Sequence, residues 1–343
     1  VVFTTPAIGA LRRRFPDAHL TYLVEAPAEP VVRRLPQLNA VIVAERPRGA
    51  ARWHYDAGLA RRLRGERFDI VIDFHGGPRS ALLTWATGAS QRIGYALPGR
   101  RWCYTTRVPW TRSLMPPRHS VLNQWDLLTP LGIDPPDPTR DAVTMTVDPD
   151  AAAKVADRLH AAAIDAAAPL IVIHVSAGNP FRRWPAASFA AVAAELARED
   201  RRRRIVITSG PSEEAAAAEV AAAARRLAGD AAPSIVRTGE FDLPELHALV
   251  NRAALYIGGD SGPLHIAATT RTPVVALFGP TLPERSMPWR DPRLGAAAVD
   301  VGPLPCRPCH QRRCVPGDFR CLTGISPNMV IAAARDLLAR SGA

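Results

Sequence analysis

Short apolar runs alternate with longer amphipathic, alanine-rich stretches along most of the chain. Runs at 20–24 (Leu20 to Val24), 40–44 and 69–74 (Asp69 to Phe74) have the length of strands, and a helical pattern runs from about Ala7 to Arg14. That helix calls for a strand before it, which the chain does not supply. The second half is more regular. Strands are expected near 170–175, 204–209, 234–237, 254–258 and 273–278, with helices near 186–199, 213–228, 243–252 and 263–269. This is the rhythm of βαβ units in a doubly wound, five-stranded parallel sheet. Between the halves, Gly132 to Pro149 holds Pro135, Pro136, Pro138 and Pro149, the composition of an interdomain linker. A closing helix is expected over 327–340. The chain therefore reads as α/β with two domains, 1–149 (linker at 132–149) and 150–343.

The whole-chain numbers narrow the class. With 343 residues, 47% hydrophobic and 22% charged, the chain is globular rather than disordered. No apolar run approaches the ~20 residues of a membrane span, and no secretory signal is visible, so a cytoplasmic location is expected. The net charge is +11, carried almost wholly by arginine, with Lys154 the sole lysine. It fits either an arginine-favouring base composition or an anionic partner such as phosphates or an acidic lipid surface. The charge is spread evenly, +6 in residues 1–150 and +5 in 151–343, whereas a nucleic-acid face usually clusters it.

Ligands of open α/β sheets bind outside the carboxyl ends of the strands. The segments expected there are small and polar: Ser176 to Pro185, Gly210 to Glu214, Gly259 to His265, and Gly279 to Thr281. In the third, glycines allow close backbone approach, Pro263 suits a first helical turn, and helix-start amides suit a phosphate. The same segment also reads as an ordinary strand–helix turn capped by Asp260 or Ser261. Arg182 and Arg183 fit charge pairing with a diphosphate or solvated surface charge. Glu213 and Glu214 fit a ribose contact or first-turn carboxylates favoured by the helix dipole. Cys306, Cys309, Cys314 and Cys321, with His310, have spacing compatible with a structural zinc, or with four reduced thiols in an irregular segment. The run from Arg100 through Arg112 interleaves arginine with Trp102, Tyr104 and Trp110. It suits either an anionic membrane surface or a loop with inward aromatics.

Several of these segments, taken in order, resemble glycosyltransferase family 9, the bacterial heptosyltransferases of the lipopolysaccharide inner core. They are Asp260 to Ala268 followed by Leu277-Phe278-Gly279-Pro280-Thr281, Val1 to Ala7 with Leu11 to Pro16, Asp69 to Asp73 with His75-Gly76, Arg92 to Tyr95, and the cysteine segment with Ser326-Pro327. The resemblance covers essentially the whole chain. It implies the GT-B arrangement, two Rossmann-like domains facing a cleft. The first domain would bind phosphorylated Kdo–lipid A and the second, with its cysteine-rich segment 306–321, ADP-heptose. By position it implies donor contacts at Ser176, Arg182, Glu214, Asp260, Ser261, Gly262 and His265, Arg182 standing where the family usually has lysine. Acceptor contacts are expected at His75, Arg79 and Arg92. The implied reaction is inverting transfer without a catalytic cofactor or nucleic acid, at the cytoplasmic face of the inner membrane with peripheral contact to its anionic surface. The family's general base lies in a Gly-Asp pair directly before the segment that begins here with Val1, so no catalytic residue is assigned and an N-terminally truncated chain is expected. Other readings are a GT-B sugar-nucleotide epimerase and a non-enzymatic binder of anions or nucleic acid.

Overall fold

The computed structural model describes residues 1–111, 116–175, 178–210, 213–309 and 311–341. The chain divides into two compact units, Phe3–Asp141 and Ala142–Ala343. The division falls inside the proline-rich segment. On one side of it Asp141 is buried and paired with Arg13 and Arg140 of the first unit. On the other, Val143 donates its amide to the Trp289 carbonyl at 3.0 Å in the second unit.

In the first unit, β1 (Thr21–Glu25) pairs in parallel with β2 (Ala40–Ala44), and β3 (Ile70–Ile72), β4 (Gln91–Tyr95) and β5 (Thr106–Val108) form a second parallel sheet in that order. Helix α1 (Thr5–Arg14) starts two residues earlier than the pattern suggests, with Pro6 in its first turn and Ala7, Ile8 and Ala10 buried. Helices α2 (Ala51–Gly65), α3 (Pro78–Ala86) and α4 (Ser120–Trp125) follow. Strands β4 and β5 are additions to the sequence reading. Arg92 and Gly94 interrupt the apolar run of β4, but Gly94 is required there. A Cβ at that position would come within 2.3 Å of the Tyr104 ring, which lies flat against the strand.

The second unit holds α5 (Pro149–Ala161), β6 (Leu170–His174), α6 (Ala186–Glu199), β7 (Arg204–Thr208), α7 (Glu214–Ala228), β8 (Ile235–Val236), α8 (Leu243–Asn251), β9 (Leu255–Gly259), α9 (Gly262–Ala267), β10 (Val274–Leu277), β11 (Ala296–Val299) and α10 (Pro327–Ser341). Its sheet has six strands rather than five, all parallel, in the order β8-β7-β6-β9-β10-β11. The sixth is the Ala-Ala-Ala-Val edge strand, whose residues have little intrinsic strand preference and are held by pairing with β10. β6, β9 and β10 are buried throughout, as expected of a sheet covered on both faces. The alanine-rich helices are legible as packing devices. α7 buries Ala217, Val220, Ala221, Ala224 and Ala228, a stripe at helical spacing that seats its backbone close to α6. The strand order is that of a Rossmann unit, and the order in which strands are added reverses between β6 and β9.

Candidate active site

The loops that follow β6 and β9 meet at the reversal point, where an ion pair joins them. Arg182 Nη1 lies 3.2 Å from the Asp260 carboxylate and donates to the Asp260 carbonyl at 3.0 Å. Asp260 is 3% exposed. From its other side, His265 Nε2 approaches Asp260 Oδ1 at 3.5 Å. Burial pushes the Asp260 carboxyl up, but His265, Thr281 and the Arg182 charge around it together hold it below the ordinary carboxylate range. Gly259 completes the close approach, since a Cβ there would stand 3.3 Å from the Arg182 carbonyl. Ser261 occupies the N-cap position of α9 without capping it. Its hydroxyl is buried and has no hydrogen-bond partner among the described residues. Gly262 is exposed at the helix start. Arg182, Asp260, Ser261, Gly262 and His265 are thus gathered at one edge of one sheet, while Ser176 lies outside the described residues.

The acidic pair separates by role. Glu213 is buried and meets Arg183 at 2.6 Å, so neither Arg183 nor Glu213 is simple solvated charge. Glu214, the first residue of α7, keeps a largely exposed carboxylate 3.5 Å from Arg237. At the carboxyl end of β6, the buried His174 ring faces Thr208 Oγ1 at 3.0 Å, and burial lowers its pKa to about 4.

Sequence reasoning missed Gln311. Its Oε1 accepts from Arg182 Nε at 2.6 Å and from Asn179 Nδ2 at 3.0 Å, holding the arginine from the cysteine-rich segment. That segment is itself fastened to the loop after β10. Cys309 donates its amide to the Pro280 carbonyl at 3.3 Å, and the buried Arg307 side chain bonds the Thr281 and Gly302 carbonyls and Asp300. No local signal marks Gln311, because its partners are more than a hundred residues away. Cys306, Cys309, Cys314 and Cys321 are free thiols, and among the described residues no three His, Cys, Asp or Glu side chains gather around a common metal position. His310 lies outside the described residues.

In the first unit, the buried Asp73 accepts from the His75 and Gly76 amides, from Ser80 Oγ and from Tyr104 Oη at 2.7–3.0 Å. Four donors make it the organiser of the loop after β3. His75 is exposed beside it. Arg79 grips Asp56 through Nε and Nη2 and donates to the Glu45 carbonyl. Arg92 donates to the Cys103 and Ala89 carbonyls at 3.0 and 2.5 Å and stands near the amino end of β4, whereas His75 follows the carboxyl end of β3. The structure therefore does not bring His75 and Arg92 together. Of the aromatic run, Cys103 and Tyr104 are buried, Trp110 packs edge-on to Tyr95, and Trp102 is exposed. Arg112 lies outside the described residues.

A doubly wound nucleotide-type sheet with a charged loop pair at its reversal point defines the class, and the family follows. Residues 57–318 match the model for glycosyltransferase family 9 (heptosyltransferase), and the chain belongs to that family and is a glycosyltransferase. It is 30% identical over 343 residues to lipopolysaccharide heptosyltransferase 3 of Escherichia coli strain K12, covering 98% of this chain and 94% of that one. Among solved structures it resembles a glycosyl transferase family 9 protein from Veillonella parvula DSM 2008, with TM-score 0.81 and 25% identity over 98% of this chain and 93% of that one. It also resembles the E. coli ADP-heptose lps heptosyltransferase II, with TM-score 0.75 and 20% identity over 100% and 96%. The fold class is GT-B. No helix among the described residues is long and apolar enough to cross a membrane.

Proposed function

We propose that this chain transfers heptose from ADP-heptose to the phosphorylated Kdo–lipid A inner core of lipopolysaccharide, with inversion at the anomeric carbon. The observation that carries the reading is the Arg182–Asp260–His265 cluster at the reversal point of a Rossmann-type sheet, in a member of a heptosyltransferase family. Residues 150–343 bind the donor. Arg182, His265, the Ser261 hydroxyl and the Gly262 amide receive the diphosphate, whose charge grows as the glycosidic bond breaks, and they stabilise the leaving ADP without a metal. Asp260 holds Arg182 and His265 in register, Ser176 adds a donor contact, and Glu214 takes the ribose hydroxyls. Residues 1–149 bind the acceptor with His75 in contact. Arg79, engaged by Asp56, acts as scaffold, and Arg92, near the amino end of β4, stands away from His75. The acceptor hydroxyl loses its proton to a carboxylate as it attacks. Asp73, already accepting four hydrogen bonds, does not fit that role. Work at the cytoplasmic face of the inner membrane, in peripheral contact with it, follows from the acceptor.

The test is calorimetric titration with ADP of the unaltered chain, Arg182→Ala and His265→Ala. Loss of a charged contact worth roughly 1.5–3 kcal/mol weakens binding about 10- to 150-fold. Unchanged affinity in both variants overturns the donor site. Product formation from ADP-heptose and Kdo–lipid A, with the anomeric configuration read by NMR, tests the reaction. Elemental analysis tests the cysteine segment: with the thiols acting only in packing, zinc is absent, and about one equivalent per chain would assign Cys306, Cys309, Cys314 and Cys321 a structural metal.

A further inference from the structure

Seven arginines of the first unit are neutralised by carboxylates, and three of those that are not share one pocket. Arg13, Arg33, Arg46, Arg52, Arg79, Arg118 and Arg140 each meet a carboxylate. Arg61, Arg64 and Arg92 have no carboxylate within ion-pair distance among the described residues, and all three line one open pocket of about 450 Å³, with Trp85 and Gly88 in its wall. The pocket is shaped for them. Arg92 is fixed by its two carbonyl acceptors. Arg64 lies across Gly88, where a Cβ would come within 2.9 Å of its Nη1 and where φ is +70°.

The rim is apolar. Trp85 is 51% exposed and Trp102 53%, and the two indoles meet edge to face at 5.8 Å. Leu82, three residues before Trp85 on α3, is also exposed and shares its face. Two large indoles held in water beside three unneutralised guanidiniums match a boundary where anionic phosphates meet hydrocarbon. The pocket stands at the amino ends of the strands, where α2 and α3 finish and β4 begins, and the ligand-binding edge of such sheets is the opposite one.

We propose that this pocket is a docking site for an anionic phospholipid headgroup, the phosphate lying among Arg61, Arg64 and Arg92 and the rings of Trp85 and Trp102 entering the interfacial layer. The proposal rests on the peripheral membrane contact proposed above and assigns it to a place. A lipid bound here leaves the opposite edge of the unit free for the acceptor.

The experiment is co-sedimentation of the full chain with vesicles of phosphatidylcholine alone or with one-quarter phosphatidylglycerol, at about 0.1 M salt. The chain sediments with the anionic vesicles. R61A/R64A binds them about 25-fold more weakly, each surface arginine being worth roughly fivefold, and W85A/W102A is weakened as well. R226A/R252A, which removes the same charge from exposed positions of the second unit, changes binding by less than about fivefold. ADP affinity, measured on every variant, reports on the donor site separately, so a failed docking site and a failed heptosyltransferase reading give different results. Absence of sedimentation with anionic vesicles overturns the proposal. So does an equal loss in R226A/R252A, which would mean unspecific charge. Binding of inorganic pyrophosphate or of a single-stranded oligonucleotide that is sensitive to R61A/R64A, without vesicle binding, overturns it in favour of a soluble anion or a nucleic acid.

Discussion

Replacing Asp260 by asparagine preserves shape and removes one charge from the centre of the proposed donor site. The Arg182 side chain is 30% exposed and the Asp260 side chain 4%. Breaking a fully buried pair costs about 3–5 kcal/mol and an exposed one about 0–1, so this pair is worth about 2 kcal/mol. In a unit of about 200 residues each kcal/mol moves the transition by roughly 2–4 °C, so melting of the second unit falls by about 4–8 °C at pH 7. The pH dependence has a definite sign. A carboxyl held below its ordinary value of 3.8 in the folded state contributes stability that is fully present above that value and lost as pH falls through the lower folded one. The gap between the unaltered chain and D260N, followed by scanning calorimetry from pH 7 to pH 3, is therefore constant down to about pH 4 and closes below it. An unchanged melting temperature at neutral pH, or a gap that widens in acid, would refute the assignment of Asp260 as the charge that holds the two loops.

Gln311→Ala removes the acceptor that steadies Arg182 Nε, so ADP binding weakens by roughly 10- to 150-fold, the worth of one charge-assisted hydrogen bond, with little change in melting; titration and calorimetry on the same sample check both. Asp73→Asn leaves at least one of four donors unmatched in a buried loop, and costs the first unit about 1–3 kcal/mol in denaturant unfolding while ADP affinity is unchanged. His174 and His247 are both held neutral by burial, their pKa values lowered from 6.5 to about 4. The unfolded chain therefore takes up protons first, and stability present in full above pH 6.5 is lost as pH falls toward 4, by up to about 1.4 kcal/mol per pH unit for each ring. A His174→Gln/His247→Gln double variant flattens that slope, and an unaltered slope would show that neither ring is responsible.

Much of the second unit could be read from pattern alone, because its strands are buried on both faces and its helices carry apolar stripes at helical spacing. The bounds of α6 follow directly from the periodicity. β11 escaped because three alanines carry no strand signal, and β4 because arginine and glycine break its apolar run. The loops proposed to bind the donor were legible for a topological reason: in a parallel sheet, whatever follows a strand arrives at the ligand edge. Pairings across that edge were not. Nothing in Arg182-Arg183 distinguishes the residue that meets Asp260 from the one that meets Glu213, because a guanidinium's partner is set by the tertiary fold. The same limit applies to Arg79 and Arg92. Each stands in a motif, but Asp56 and the carbonyls of Ala89 and Cys103 determine what its guanidinium holds.

The order of strands in the second unit also bears on when its proposed nucleotide site comes into being during folding. β6, β7 and β8 are consecutive in the chain and can assemble from neighbours, as can β9, β10 and β11. The seam between the two halves is the β6–β9 pairing, and the groups that flank it, Arg182 and Asp260, are 78 residues apart in sequence. Closing so long a stretch is entropically modest, because the cost grows only with the logarithm of length. It is nonetheless the least local contact in the sheet's interior, and its loop entropy must be met before the contact rewards it. A unit without that seam has strands and helices but lacks the proposed place for a diphosphate. If the donor site lies there, added ADP slows unfolding of the completed unit and leaves the assembly of each half unaffected.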